Sequence, residues 1–187
     1  MALQQVLHQL ELATQGQGFT RLDRQINQWL RGTGLWQGML HLTCLHTSCS
    51  LTINENADPR VLNDLADWMA DIVPESRRYS HDEEGADDMP AHIRTALTAQ
   101  TLGLSVDAGQ LVLGTWQAVY LWEHRRRPHQ RRVLCHLLGE PAAMETTSKT
   151  LNQQIQARHD PEAWAADGGI ETEVDLLVDQ LHDLADT

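Results

Sequence analysis

The stretch HTSCSLTINENADP, residues 46–59, changes character halfway along. Cys49, Leu51 and Ile53 alternate with polar residues, the period of a strand buried on one face. That pattern stops at Asn54, Glu55 and Asn56. Asp58-Pro59 then reads as a helix start. An aspartate there accepts from first-turn N–H groups, and proline suits a position whose N–H has no partner. Val61, Leu62, Leu65, Trp68, Met69 and Ile72 follow at helical spacing, and Pro74 closes the run. A strand thus passes through a polar turn into a capped helix.

Working outward, QQVLHQLELAT alternates like a strand, TRLDRQINQWL has helical spacing ended by RGTG, and LWQGMLHLTCLHT is a strand. Residues 75–92 are polar and almost free of aliphatics, which marks a functional or disordered loop. IRTALTAQTLG reads as a short helix, and LSVDAGQLVLGTW as a hairpin turning at Asp107-Ala108-Gly109. AVYLWEH and RRVLCHLLG are strands joined by RRRPHQRR. Strand groups with helices between them imply an α+β domain, a compact mixed sheet with helices packed on it, over residues 1–140. Residues 141–187 form an acidic linker and an amphipathic C-terminal helix carrying Ile170, Val174, Leu177, Val178 and Leu181.

The chain has 187 residues and a net charge of −12. Residues 141–187 hold 2 Lys/Arg and 10 Asp/Glu, so the acidity belongs mostly to the extension. An acidic chain is a poor general binder of nucleic acid, and one basic loop does not reverse that. There is no apolar run long enough to span a membrane and no recognisable signal peptide. Cys44, Cys49 and Cys135 are odd in number without CxxC spacing, which argues against a disulfide framework or zinc ribbon. A cytoplasmic protein is expected.

Three histidines, His46, His81 and His92, stand among polar residues with 34 and 10 residues between them. Three imidazoles can hold a divalent metal with a position left for substrate, yet this spacing matches no compact ligand motif, and on spacing alone separate surface or hydrogen-bonded histidines explain it better. Asp87 is a further candidate ligand from the DEEGADD segment, and the metal would be Zn²⁺ or Mg²⁺. In LGTWQ, Gly114 suggests a bulge, Thr115 and Gln117 could hydrogen-bond a ligand, and Trp116 is a stacking or core residue. Arg131 and Arg132 begin a strand and could reach a phosphate.

Together, HTSCSLTINENADP, YSHDEEGADDMPAHI, LGTWQAVYLWEHR and RRVLCHLLGE resemble the YjbQ-like proteins, also called the secondary thiamine-phosphate synthase family. The blocks run in register over roughly residues 2–140. The resemblance implies a homotrimer and a small-molecule enzyme able to join a pyrimidine pyrophosphate to a thiazole phosphate, as a main or secondary activity. On that reading His46, Glu55, His81 and His92 are catalytic. Thr47, Ser48, Asn54, Asn56, Gly114, Thr115, Trp116, Gln117 and Arg132 bind the phosphorylated substrate. His46, His81, His92 and Asp87 are the metal candidates, and all converge on one pocket, within a protomer or across a subunit boundary. The rival readings are a metal-dependent hydrolase with a His-rich site and a non-enzymatic ligand- or partner-binding module.

Overall fold

The computed structural model describes residues 2–142. The expected C-terminal helix and linker lie outside the described residues. In chain order the elements are β1 (Gln4–Ala13), β2 (Gly18–Arg21), α1 (Asp23–Thr33), β3 (Leu35–Cys44), β4 (Cys49–Glu55), α2 (Pro59–Ile72), α3 (Asp88–Leu97), β5 (Thr101–Asp107), β6 (Gln110–Leu111), β7 (Gln117–Glu123) and β8 (Gln130–Pro141). They form a five-stranded sheet, β1-β8-β3-β5-β6, and a three-stranded sheet, β2-β7-β4. Every described strand pair is antiparallel, so the α+β class holds while the expected mixed sheet gives way to two antiparallel ones. The large sheet's strands alternate as an antiparallel sheet with one open face does, whereas β7 of the small sheet is an almost continuous buried run.

The period of two decides which residues enter the core. Leu10, Leu12, Leu40, Leu42, Val133, Cys135 and Leu137 point from the large sheet into one buried cluster. Leu51, Val119 and Leu121 meet them from the small sheet, with Ile26 and Leu30 of α1. The other face of the small sheet carries Trp122, which packs with Phe19, Leu65, Met69, Val73 and Ile93 beneath α2 and α3. The small sheet is therefore buried on both faces.

Asp58 caps α2 as expected, accepting from the Arg60 N–H at 2.9 Å. The Asp107–Gly109 turn also forms, with Ala108 at φ 53° and Gly109 at φ 68°, the primed geometry that suits a tight hairpin. Three element boundaries differ from expectation. Thr20 and Arg21, read as the start of a helix, belong to β2 because they pair with Leu121 and Tyr120 of β7, and α1 begins at Asp23. The short helix begins at Asp88, inside the polar loop, because Pro90 falls in its first turn where a missing N–H costs nothing. Thr101–Gly103, read as helical, belong to β5 because they pair with His41–Thr43 of β3. Gly114 is not a strand bulge: it opens a turn in which Gln117 N–H donates to its carbonyl at 3.0 Å.

Candidate metal centre

The start of α3 puts Asp88 and His92 one turn apart on the same helix face. The preceding loop brings His81 alongside. Its Nε2 lies 2.8 Å from Asp88 Oδ2, and His92 Nε2 lies 3.5 Å from the same oxygen. Ligand atoms of His81, Asp88 and His92 all fall within 4.8 Å of one another. Donors about 2.0–2.2 Å from one ion are at most about 4.4 Å apart, so a small side-chain adjustment suffices. Asp88 is 2% exposed, and among the described residues its Oδ2 is buried without an aligned hydrogen bond. A buried carboxylate oxygen without a hydrogen bond, faced by two ring nitrogens, calls for a shared cation or a proton on imidazole.

The surroundings orient these groups. His92 Nδ1 donates to the Thr47 carbonyl at 2.9 Å, so Nε2 is the ring nitrogen that faces Asp88. Arg125 bonds the other Asp88 oxygen, Oδ1. It also donates to Asp87 Oδ2 and to the Glu84 carbonyl, each at 3.0 Å. Asp87 is thus a brace for the loop, and Asp88 rather than Asp87 stands in the cluster with the two histidines. Burial would raise the Asp87 pKa, but the Arg126 N–H and the Arg125 guanidinium outweigh it and hold the carboxyl below its usual range.

His46 stands nearby but does not join the cluster. Its Nε2 accepts the Arg132 backbone N–H at 2.8 Å, which occupies the lone pair a metal would need. Burial, then the charges of Arg131 and Arg132, hold its pKa below the usual value. Thr47 contributes its carbonyl, Ser48 is buried beside it, and the Arg132 side chain is exposed.

The remaining candidates lie elsewhere. Glu55 is at the far end of β4, and seven strand residues extend about 20 Å at roughly 3.3 Å each. There Glu55 Oε1 accepts the Asn56 and Ala57 N–H groups at 2.9 and 2.7 Å. Asn54 Oδ1 accepts the Glu55 N–H at 2.8 Å. Asn56 Nδ2 donates to the Thr115 and Gln117 carbonyls, both at 3.0 Å. Gln117 Oε1 accepts the Gly114 N–H at 2.9 Å, and Trp116 is 57% exposed. Within one protomer the expected single pocket is therefore two clusters at opposite ends of β4. Arg125 is a member that no motif points to, and Asp88 is one of several carboxylates in its segment that the pattern does not set apart. The signal for Asp88 was present as Asp-x-x-x-His, legible only once the helix is begun at Asp88.

Two further features involve β7 and its end. Glu123 accepts from Arg131 Nε and Nη2 at 2.7 and 2.6 Å and from the Thr14 hydroxyl at 2.8 Å, fully inside the protein. Between α2 and the small sheet lies a cavity of about 390 Å³, lined in part by Phe19, Leu62, Met69, Arg94, Trp122 and His124.

Residues 8–140 match the family described as UPF0047 protein YjbQ-like. A UPF0047 protein of Synechocystis sp. is 51% identical over 132 residues, 70% of this chain and 90% of that one. UPF0047 protein YjbQ of Escherichia coli O157:H7 is 42% identical over 132 residues, 70% of this chain and 96% of that one. Among solved structures, a conserved hypothetical protein of Thermus thermophilus superposes with TM-score 0.61 at 34% identity, covering 68% of this chain and 97% of that one. A YbjQ-like protein of unknown function from Sulfolobus solfataricus shares the fold, with TM-score 0.68 at 21% identity over 74% of this chain and 100% of that one.

Proposed function

The chain belongs to the UPF0047 YjbQ-like family, and from that premise we propose a small-molecule enzyme centred on a divalent metal held by His81, Asp88 and His92. The observation that carries the reading is Asp88 Oδ2, buried without an aligned hydrogen bond and faced by two imidazole nitrogens. Two imidazoles with one carboxylate favour Zn²⁺ over Mg²⁺, which prefers oxygen donors. When bound, such an ion neutralises charge on a phosphate or pyrophosphate group.

The protein's own residues do the positioning. Thr47 fixes the ring of His92, and Arg125 fixes Asp88 and the loop that carries His81. The exposed Arg132, whose N–H is tied to His46, offers a charge for substrate phosphate. The specific reaction we favour joins a pyrimidine pyrophosphate to a thiazole phosphate. In a homotrimer, the Asn54–Asn56 turn and Trp116 of a neighbour would supply the end of the site that one protomer lacks. Hydrolysis is the second reading, because His₂-carboxylate sets also serve hydrolytic zinc enzymes.

Steady-state assays of the full-length protein with both precursors, with and without added Zn²⁺, test the proposal. We expect thiamine phosphate formation that depends on metal and falls at least about 100-fold in His81→Ala and His92→Ala. Phosphate release without a joined product would favour hydrolysis. Turnover unaffected by chelation and by both substitutions would overturn the metal-centred reading.

A further inference from the structure

The loop whose Thr47 carbonyl holds His92 is flanked by a cysteine pair that the proposed chemistry leaves unused. Cys44 ends β3 and Cys49 begins β4, and the residues between them carry His46 and Thr47. Both cysteines are free and buried, and their Sγ atoms lie 3.3 Å apart. Cys44 Sγ is also 3.4 Å from the Cys49 carbonyl oxygen. Because β3 belongs to the large sheet and β4 to the small one, the pair sits where the chain crosses between sheets. A disulfide needs about 2.05 Å between sulfurs, so closure asks for a movement of little more than an ångström.

We propose that Cys44 and Cys49 are an oxidation site, a dithiol that hydrogen peroxide converts to a disulfide at the base of the loop carrying His46 and Thr47. Cys44 sulfur attacks the O–O bond and takes one oxygen as a sulfenic acid, and one water leaves. Cys49 sulfur then attacks that sulfur, the S–S bond forms, and the oxygen departs as a second water. Two electrons pass from the dithiol to one peroxide, and a thiol reductant reverses the change.

Cys44 is the attacking sulfur on geometry and charge. It is 4% exposed while Cys49 is fully buried, and the next residue in the chain, Leu45, is exposed. The hydrogen bond from Cys49 lowers its pKa; burial opposes this, and a His46 contact and the Arg131 charge add to the lowering. Cys135 provides an internal comparison. It is paired opposite Leu42 in the sheet, and burial pushes its thiol up to about 12.

The consequence falls on His92, whose Nδ1 is held by the Thr47 carbonyl at 2.9 Å. Shortening the Cys44–Cys49 separation moves that carbonyl and loosens the ring. This consequence rests on the metal-centred reading, whereas the disulfide does not.

The test treats full-length, metal-free protein with hydrogen peroxide, blocks remaining thiols after denaturation and maps the peptides by mass spectrometry. We expect an intramolecular Cys44–Cys49 disulfide, reversed by dithiothreitol, with Cys135 still reduced. Recovery of both thiols unchanged, as higher oxyacids without a cross-link, or joined between chains would overturn the proposal. Cys49→Ala should stop at the sulfenic acid, trapped by dimedone, and wild-type mapping decides the matter if that variant does not fold. Mn²⁺ titration then compares the two forms, since thiols bind Mn²⁺ poorly. We expect binding about ten-fold weaker in the oxidised protein. Equal affinity would overturn the link to His92. Absence of Mn²⁺ and Zn²⁺ binding in both forms would remove the metal-centred reading while leaving the disulfide result standing.

Discussion

Asp88 shows how one side chain divides two tasks between two oxygens. Oδ1 is bonded by Arg125, and Oδ2 faces His81 and His92. Glu123 is the contrasting case, with both oxygens satisfied inside the core by Arg131 and Thr14. Burial would raise the Glu123 pKa, but Arg131, the Arg125 N–H and Thr14 together hold it below the usual range. Removing one partner of such a pair leaves a buried charge uncompensated, at a cost of about 3–5 kcal/mol. Arg131→Met should therefore lower the unfolding free energy by about that much in urea titration, and Glu123→Gln combined with it should recover part of the loss. A change within about 0.5 kcal/mol would show that the pair is not as desolvated as described. At this scale the sequence was partly legible. His81 and His92 stood out as imidazoles among polar residues, and the structure brings them together. Asp88 was hidden among neighbouring acids, because only the helix start distinguishes it from Asp87. Glu55 could not be placed, since its distance from the histidines depends on the length and direction of β4.

At the scale of elements, strands and helices were legible wherever a hydrophobic period ran unbroken. β1, β3, α1 and α2 follow their patterns, and Asp58-Pro59 marks the start of α2 as its chemistry requires. The pairing of β7 between β2 and β4 was not legible, because tertiary partners are not written in local period. That pairing buries His124 between the small sheet and the helices, with Nε2 2.9 Å from the Ser50 hydroxyl. Burial, then the Arg94 charge, pushes its pKa down to about 3, so the folded protein holds a neutral ring. The unfolded chain binds a proton near pH 6.5. Stability from this burial is thus complete above about pH 6.5 and is lost as the pH falls toward 3. Between pH 6 and 4, unfolding free energy should fall less steeply in His124→Gln than in wild type, by about 1.4 kcal/mol per pH unit. Parallel curves would contradict a neutral, buried His124.

At the scale of the whole molecule, the outer face of the large sheet is where the proposed homotrimer can be tested. Met39 lies opposite Leu138, and Leu138 opposite Gln5, which places Leu3 and Leu7 on the same face. All four apolar residues are at least 41% exposed. Exposed apolar residues gathered on one sheet face suit an interface, and the proposed homotrimer would cover them with other copies of this chain. Light scattering of the full-length protein should return three times 21.1 kDa, and Met39→Lys with Leu138→Lys should shift it toward the single-chain mass. A wild-type monomer would remove the homotrimer and, with it, the completion of the site by a neighbour. No helix among the described residues is long and apolar enough to cross a membrane. The cluster at the start of α3 underlies the proposed function. Calorimetric titration of the chelator-treated protein with Zn²⁺ tests it most directly. One ion should bind per chain, with affinity lost in His81→Ala and in Asp88→Asn. No binding, or binding unchanged in both variants, would contradict it.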